Sequence, residues 1–70
     1  MNITGWLSCV GGTWTIRDIH TGKVYQLAGV SLPERVNGLQ GRVVGVIEDS
    51  FGLGVLHNEA VLRVQHWKIV

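Results

Sequence analysis

Residues 49–70 read DSFGLGVLHNEAVLRVQHWKIV, and this stretch is the one around which the rest of the chain is best interpreted. Its first part, residues 49–57, is punctuated by glycine in the manner of a loop. Its second part, residues 60–69, alternates apolar and polar residues, which is typical of a β-strand with one buried face. The stretch therefore predicts a loop followed by a strand that closes the fold.

The alternation in this last strand changes phase near residues 65–66. Leu62 and Val64 share one face, whereas Trp67 and Ile69 share the other. Because alternate residues of a strand point to opposite sides, the change predicts a β-bulge, or a strand that is buried on both faces at that end.

Three strands are predicted in the first part of the chain, over residues 3–10, 13–19 and 23–28. Gly5 interrupts the first strand, and a glycine inside a strand usually marks a bulge or sharp coiling. Gly22 is suited to the turn between the second and third strands.

A short helix is predicted after the third strand. Ser31 and Glu34 have the spacing of a capping box, and Pro33 is tolerated in a first helical turn. Asn37 and Gly38 can end the helix after one or two turns. A fourth strand follows over residues 39–47.

Three strands, a short helix and two strands are the element order of an OB-like barrel. We therefore predict a small all-β fold, a five-stranded antiparallel OB-like barrel with one short helix between strands three and four. An SH3-like barrel is the alternative, although its helical turn normally lies between the last two strands. Residues 1–70 form a single domain, because so short a chain cannot enclose a second hydrophobic core.

The composition limits the classes of protein to which the chain can belong. With 70 residues, a net charge of +1 and one cysteine, the chain has a small core and no broad basic field to attract nucleic acid. Cys9 alone cannot form an intramolecular disulfide, and a lone thiol fits a reducing compartment, so we expect a cytoplasmic protein. No apolar run approaches the roughly 20 residues that span a bilayer, so no membrane association is expected.

The chain also resembles a known family. The residues that carry the resemblance are Trp14, Gly22, residues 25–29, Gly38, Val43, Gly45, residues 49–54 and residues 61–64, and its most specific part is Gly-Leu-Gly followed by Val-Leu-Arg-Val. On these residues the chain is similar to a family of small bacterial proteins, a domain family of unknown function. The resemblance implies an OB-like barrel and brings no catalytic residues or cofactor.

Catalytic and metal-binding patterns are weak. Gly52 and Gly54 match the first two glycines of a nucleotide-binding fingerprint, but His57 occupies the position of the third glycine. The three histidines lie in separate segments without metal-ligand spacing, and neither Ser8 nor Ser50 lies in a nucleophile elbow. We predict no enzymatic activity, no cofactor, no metal and no small-molecule ligand.

Two hypotheses of function remain, and the preferred one is a non-catalytic interaction module that forms a homo-oligomer, in the simplest case a dimer. A small core without disulfides, in a chain that is 46% hydrophobic, gains from self-association. An edge strand or the glycine loop would make the contact. The predicted interface residues are Phe51, Leu53, Val55, Leu56 and Trp67.

The alternative hypothesis is binding of single-stranded nucleic acid through a barrel face on which aromatic and basic residues interleave. It requires the arginine and tryptophan residues of strands two and three to share one exposed face. The interleaved aromatic and basic residues are Trp6, Trp14, Tyr25, Trp67, Arg17, Lys23, Arg42, Arg63 and Lys68. From this set, the predicted binding residues are Trp14, Arg17, Lys23, Tyr25 and Arg63. The nearly equal numbers of basic and acidic residues, six and five, argue against this hypothesis.

Overall fold

The structure is a computed structural model that describes residues 1–48 and 60–70. In this part of the chain it has five strands and one turn of 3₁₀ helix: β1 Asn2–Val10, β2 Thr13–Asp18, β3 Val24–Ala28, the 3₁₀ turn Glu34–Val36, β4 Gln40–Glu48 and β5 Ala60–Ile69. All five predicted strands are confirmed, with bounds that differ by no more than one residue. The predicted loop over residues 49–57 lies outside the described residues.

The strands close into a barrel in the order β1-β2-β3-β5-β4. This confirms the predicted small all-β barrel, and the 3₁₀ turn lies between β3 and β4, where the OB-like interpretation requires it. The expectation that every pair is antiparallel was wrong for one pair, because β3 and β5 are parallel. Directions cannot alternate all the way round a closed ring of five strands, since five is odd.

Close backbone packing accounts for two of the strand glycines. A Cβ atom on Gly5 would overlap the carbonyl oxygen of Arg17, and one on Gly45 would overlap the carbonyl oxygen of Arg63. The register of β1 with β4 is continuous through Gly5, and the pairing of β1 with β2 ends there without a shift, so this glycine marks a close approach of strands and not a bulge.

The predicted change of phase in β5 is confirmed as a bulge. Val44 of β4 pairs with His66, but the next residue, Gly45, pairs with Val64. Gln65 is therefore the extra residue. Beyond it, Trp67 pairs with the fully buried Val43 and packs against the core.

Apolar side chains fill the inside of the barrel. No buried polar or charged residue occurs in residues 1–48 and 60–70. Burial of each large aliphatic side chain contributes about 1.5–3 kcal/mol. The core residues are Ile3, Leu7, Trp14, Ile16, Tyr25, Leu27, Leu32, Val36, Val43 and Leu62.

The helix predicted near residues 31–36 is a single 3₁₀ turn over Glu34–Val36, and it lacks the capping box. Pro33 occupies the cap position in extended conformation, with φ −69° and ψ 144°, and no side chain caps the turn. Instead, the Glu34 carboxylate accepts a hydrogen bond of 3.1 Å from the Asn37 side-chain amide. The predicted end of the helix is confirmed, since Gly38 has a φ of 86° and its N–H donates to the Leu7 carbonyl over 2.8 Å. The segment that follows the turn is therefore hydrogen-bonded to the backbone of β1 at Leu7.

Candidate functional site

The aromatic residues predicted to stack bases are buried. Trp14 is only 8% exposed, and Tyr25 is buried beside it in the same core. Arg17 is exposed on the other side of β2, because residues 14 and 17 are an odd number of positions apart on one strand. The nucleic-acid hypothesis required Trp14, Tyr25 and Arg17 to share one exposed face, and this expectation was wrong because the two aromatic side chains point into the core. The fourth predicted residue, Lys23, is exposed just before β3.

Arg63, the last of the predicted binding residues, is already paired. Its Nε atom lies 2.8 Å from Oε2 of Glu48, and its Nη2 atom donates to Oε1 over 3.0 Å. Such a two-point contact neutralises much of the positive charge of Arg63. This residue is less suited to bind a phosphate than a cation without a carboxylate partner.

Four of the five predicted interface residues, Phe51, Leu53, Val55 and Leu56, lie outside the described residues. The fifth, Trp67, is partly buried and packs against the core from β5. Its indole therefore contributes to the packing of the barrel itself.

A different tryptophan is exposed. Trp6 is 48% exposed on the outward side of β1. It pairs with Arg17 of β2 on one side and with Gln40 of β4 on the other. Residues directly opposite each other in a sheet have Cβ atoms about 5 Å apart, so the Arg17 side chain emerges beside the indole.

The next outward row adds two cations. Thr4 pairs with Arg42, and Arg42 pairs with Lys68 of β5. The Arg42 Nε atom donates a hydrogen bond of 3.3 Å to the Thr4 hydroxyl, which orients the guanidinium. Arg42 lies two residues from Gln40 on β4, within diagonal reach of Trp6. We call the outward side chains of Trp6, Arg17, Arg42 and Lys68 the Trp6 face.

The carboxylates of the described residues are engaged elsewhere. Asp18 follows Arg17 on β2 and so faces the other way, and its Oδ1 atom accepts a hydrogen bond of 2.8 Å from the His20 amide. Glu34 binds Asn37, and Glu48 binds Arg63, as described above. Within the described part of the chain, the Trp6 face therefore combines three cations with no acidic side chain, although the net charge of the whole chain is only +1.

Other kinds of site are not formed by the described residues. No three histidine, cysteine, aspartate or glutamate side chains among residues 1–48 and 60–70 are grouped to hold a metal ion. No helix in the same residues is long and apolar enough to cross a membrane. Cys9 is a free thiol of intermediate burial.

Comparison of the chain with protein-family models, with curated proteins and with solved structures finds no match. The resemblance to a family of small bacterial proteins stays a prediction. The properties of the Trp6 face are therefore argued from its own geometry.

Trp6 belongs to the interleaved aromatic and basic set but is not among the predicted binding residues, although the sequence contains a signal for its outward position. Trp6 alternates with the polar residues Thr4 and Ser8, whereas Gly5 and Leu7 occupy the intervening positions. Period-two alternation places Trp6 on the same side as the polar residues, which is the outward side. The grouping with Arg17 of β2 and Arg42 of β4 could not be predicted in this way, since it depends on strand register.

Proposed function

We propose that the chain is a non-catalytic binding module whose Trp6 face binds a linear polyanion. The observation that carries this proposal is the exposed indole of Trp6 in register with Arg17, with Arg42 and Lys68 in the adjoining row. Guanidinium groups bind phosphate or carboxylate through two parallel hydrogen bonds, and no described carboxylate competes for them on this face.

The spacing of the cations supports an extended ligand. Arg17 lies on β2 and Arg42 on β4, with β1 between them. Two interstrand steps correspond to about 10 Å along the sheet surface. A chain with regularly repeated negative charges can contact cations at both ends of that distance, whereas a single small anion cannot.

The test is a titration of the full chain with a labelled mixed-sequence single-stranded oligonucleotide at several salt concentrations. We expect binding at low salt that weakens as salt rises, with a slope of roughly −0.7 in log K against log salt per neutralised phosphate. The double variant Arg17→Ala plus Arg42→Ala should lower both the affinity and the slope. Arg35→Ala removes an equal charge from an exposed residue of the 3₁₀ turn and is the matched control for each single replacement.

Two results would overturn this proposal. One is the lack of any binding at low salt. The other is an equal loss of affinity in Arg35→Ala and in each of the single variants Arg17→Ala and Arg42→Ala, which would show that the position of the charge is irrelevant.

Self-association remains a second candidate function, supported by apolar side chains on β4. Val46 is 54% exposed on the outward side of β4, and the next residue, Ile47, is 43% exposed on the opposite side of the strand. Met1, also exposed, is held next to them because its amino group donates to the Gly45 carbonyl over 2.9 Å. Exposed apolar side chains at the same end of a strand are commonly covered by a partner, and a second copy of the chain would cover them. β5 pairs with β3 over residues 60–63 and with β4 over residues 61–69, so the predicted edge-strand contact is open to this strand beyond Arg63.

Light scattering at micromolar concentration tests this second candidate. We expect a dimer whose mass falls to that of the monomer in Val46→Ser plus Ile47→Ser. Val10→Ser changes an exposed apolar residue at the far end of β1 and should leave the mass unchanged. A monomeric mass of the unaltered chain at every concentration would reject self-association. A dimer that resists the β4 variant but dissociates in Phe51→Ser plus Leu53→Ser would assign the contact to residues 49–57.

The cytoplasmic location also remains a proposal. It is supported by the free, partly buried thiol of Cys9, which fits a reducing compartment.

A further inference from the structure

We infer that the polyanion bound by the Trp6 face is a single strand of nucleic acid, with one base stacked on the indole of Trp6. This inference rests on the proposed function and adds the chemical class of the ligand. Cations alone would bind any polyanion. The indole is the feature that distinguishes one class from another, because only a ligand with flat, apolar surfaces gains by covering it.

The surroundings of Trp6 leave room for a base. Thr4 and Ser8, the outward neighbours of Trp6 on β1, are small, and Gln40 lies opposite on β4. None of these side chains is aromatic or large and apolar, so they cannot replace water over the whole indole. The side chain remains 48% exposed, although an inward tryptophan of the same barrel, Trp14, is only 8% exposed.

The cations flank the indole on both sides. Arg17 emerges on the β2 side of Trp6, and Arg42 and Lys68 emerge on the β4 and β5 side. A strand that crosses the sheet can therefore place phosphates on either side of a stacked base. At a rise of roughly 3.4 Å per stacked nucleotide, the distance from β2 to β4 corresponds to about three nucleotides.

A duplex cannot make the same contacts. Its bases are paired and stacked on one another, so it offers phosphates to the cations and no free base to Trp6. An acidic peptide likewise satisfies the cations and leaves the indole uncovered. Trp6 should therefore contribute to the affinity for single strands alone, whereas Arg17 should contribute to the affinity for both forms of nucleic acid.

The experiment measures dissociation constants for a short mixed-sequence single strand and for the duplex of the same sequence. The variants are Trp6→Ala, Trp6→Phe and Arg17→Ala, with Val10→Ala as control because Val10 is another exposed apolar residue of β1. We expect Trp6→Ala to weaken single-strand binding by about 5- to 150-fold and to leave duplex binding unchanged. Trp6→Phe should retain most of the affinity, and Arg17→Ala should weaken the binding of both. Matching circular dichroism spectra establish that each variant is folded.

The outcomes separate the inference from the proposed function. If Trp6→Ala weakens single strand and duplex equally, or weakens neither, the stacking inference is overturned while the binding of a polyanion stands. If polyglutamate binds as tightly as the single strand and displaces it, the ligand class is wrong and the polyanion site stands. If the unaltered chain binds neither oligonucleotide nor polyglutamate at low salt, both the inference and the proposed function fall.

Discussion

Trp6 and Leu7 are consecutive residues of β1, yet they belong to two regions with opposite properties. Leu7 is 1% exposed inside the barrel, whereas Trp6 is 48% exposed outside it. The inner region contains only apolar side chains among the described buried residues, and the outer region carries the cations of the Trp6 face. The same strands therefore supply stability from one side and a binding surface from the other. Substitutions on the two sides should separate these properties.

The largest expected effect is that of Gly5→Val, which acts on the closure of the barrel itself. The new side chain would overlap the Arg17 carbonyl oxygen and force β1 and β2 apart. We expect a loss above about 4 kcal/mol, which is most of the stability of a domain this small. The measurement is thermal unfolding by circular dichroism.

Ser8→Val is the matched control for Gly5→Val, because Ser8 lies on the outward side of the same strand. It should keep a cooperative transition. A Gly5→Val variant that unfolds at the temperature of the unaltered protein would show that the strands do not approach closely at this point.

A smaller but sharper test compares two tryptophans. Trp14→Ala opens a cavity in the core and should cost about 3–5 kcal/mol in the free energy of unfolding. Trp6→Ala removes an outward side chain and should cost less than about 1 kcal/mol. Urea denaturation of both variants gives the two values. Equal losses would contradict the division between an inner and an outer region.

The smallest expected effect concerns the ion pair between Arg63 and Glu48. The two side chains are 59% and 35% exposed, so solvent screens their attraction. Glu48→Gln should therefore lower the free energy of unfolding by about 0.2–1 kcal/mol, and the difference should shrink at high salt. A double-mutant cycle with Arg63→Ala isolates the pair. A coupling energy well above this range, or one that salt does not reduce, would show that the pair is shielded from solvent.

Local patterns predicted the elements of the barrel well. The strand bounds follow from period-two alternation and from the glycines between the strands, both of which are properties of short stretches. The bulge at Gln65 was visible for the same reason, since an extra residue changes the phase of alternation within a single strand. The capping box failed because the spacing of Ser31 and Glu34 allows a helix but cannot require one, and Pro33 adopts an extended conformation.

The candidate site was harder to predict than the fold. Trp14, Tyr25 and Arg17 lie on adjacent predicted strands, and composition alone could not say which of them face inward. Both Trp14 and Tyr25 are large and apolar enough for the core, and the barrel uses them there. Four of the predicted interface residues lie in residues 49–59, which the structure does not describe.

The sequence by itself determined that the chain forms five strands, their bounds to within one residue, and that the alternation of the last strand changes phase near residues 65–66. These properties depend on residues that are close in the chain. Only the tertiary structure decided that β3 and β5 are parallel, that Arg17 lies opposite Trp6, and that Arg42 and Lys68 lie in the adjoining row. The physical reason is that hydrogen-bonded pairing between distant strands sets the register, and a shift of one residue would turn each of these side chains to the opposite face.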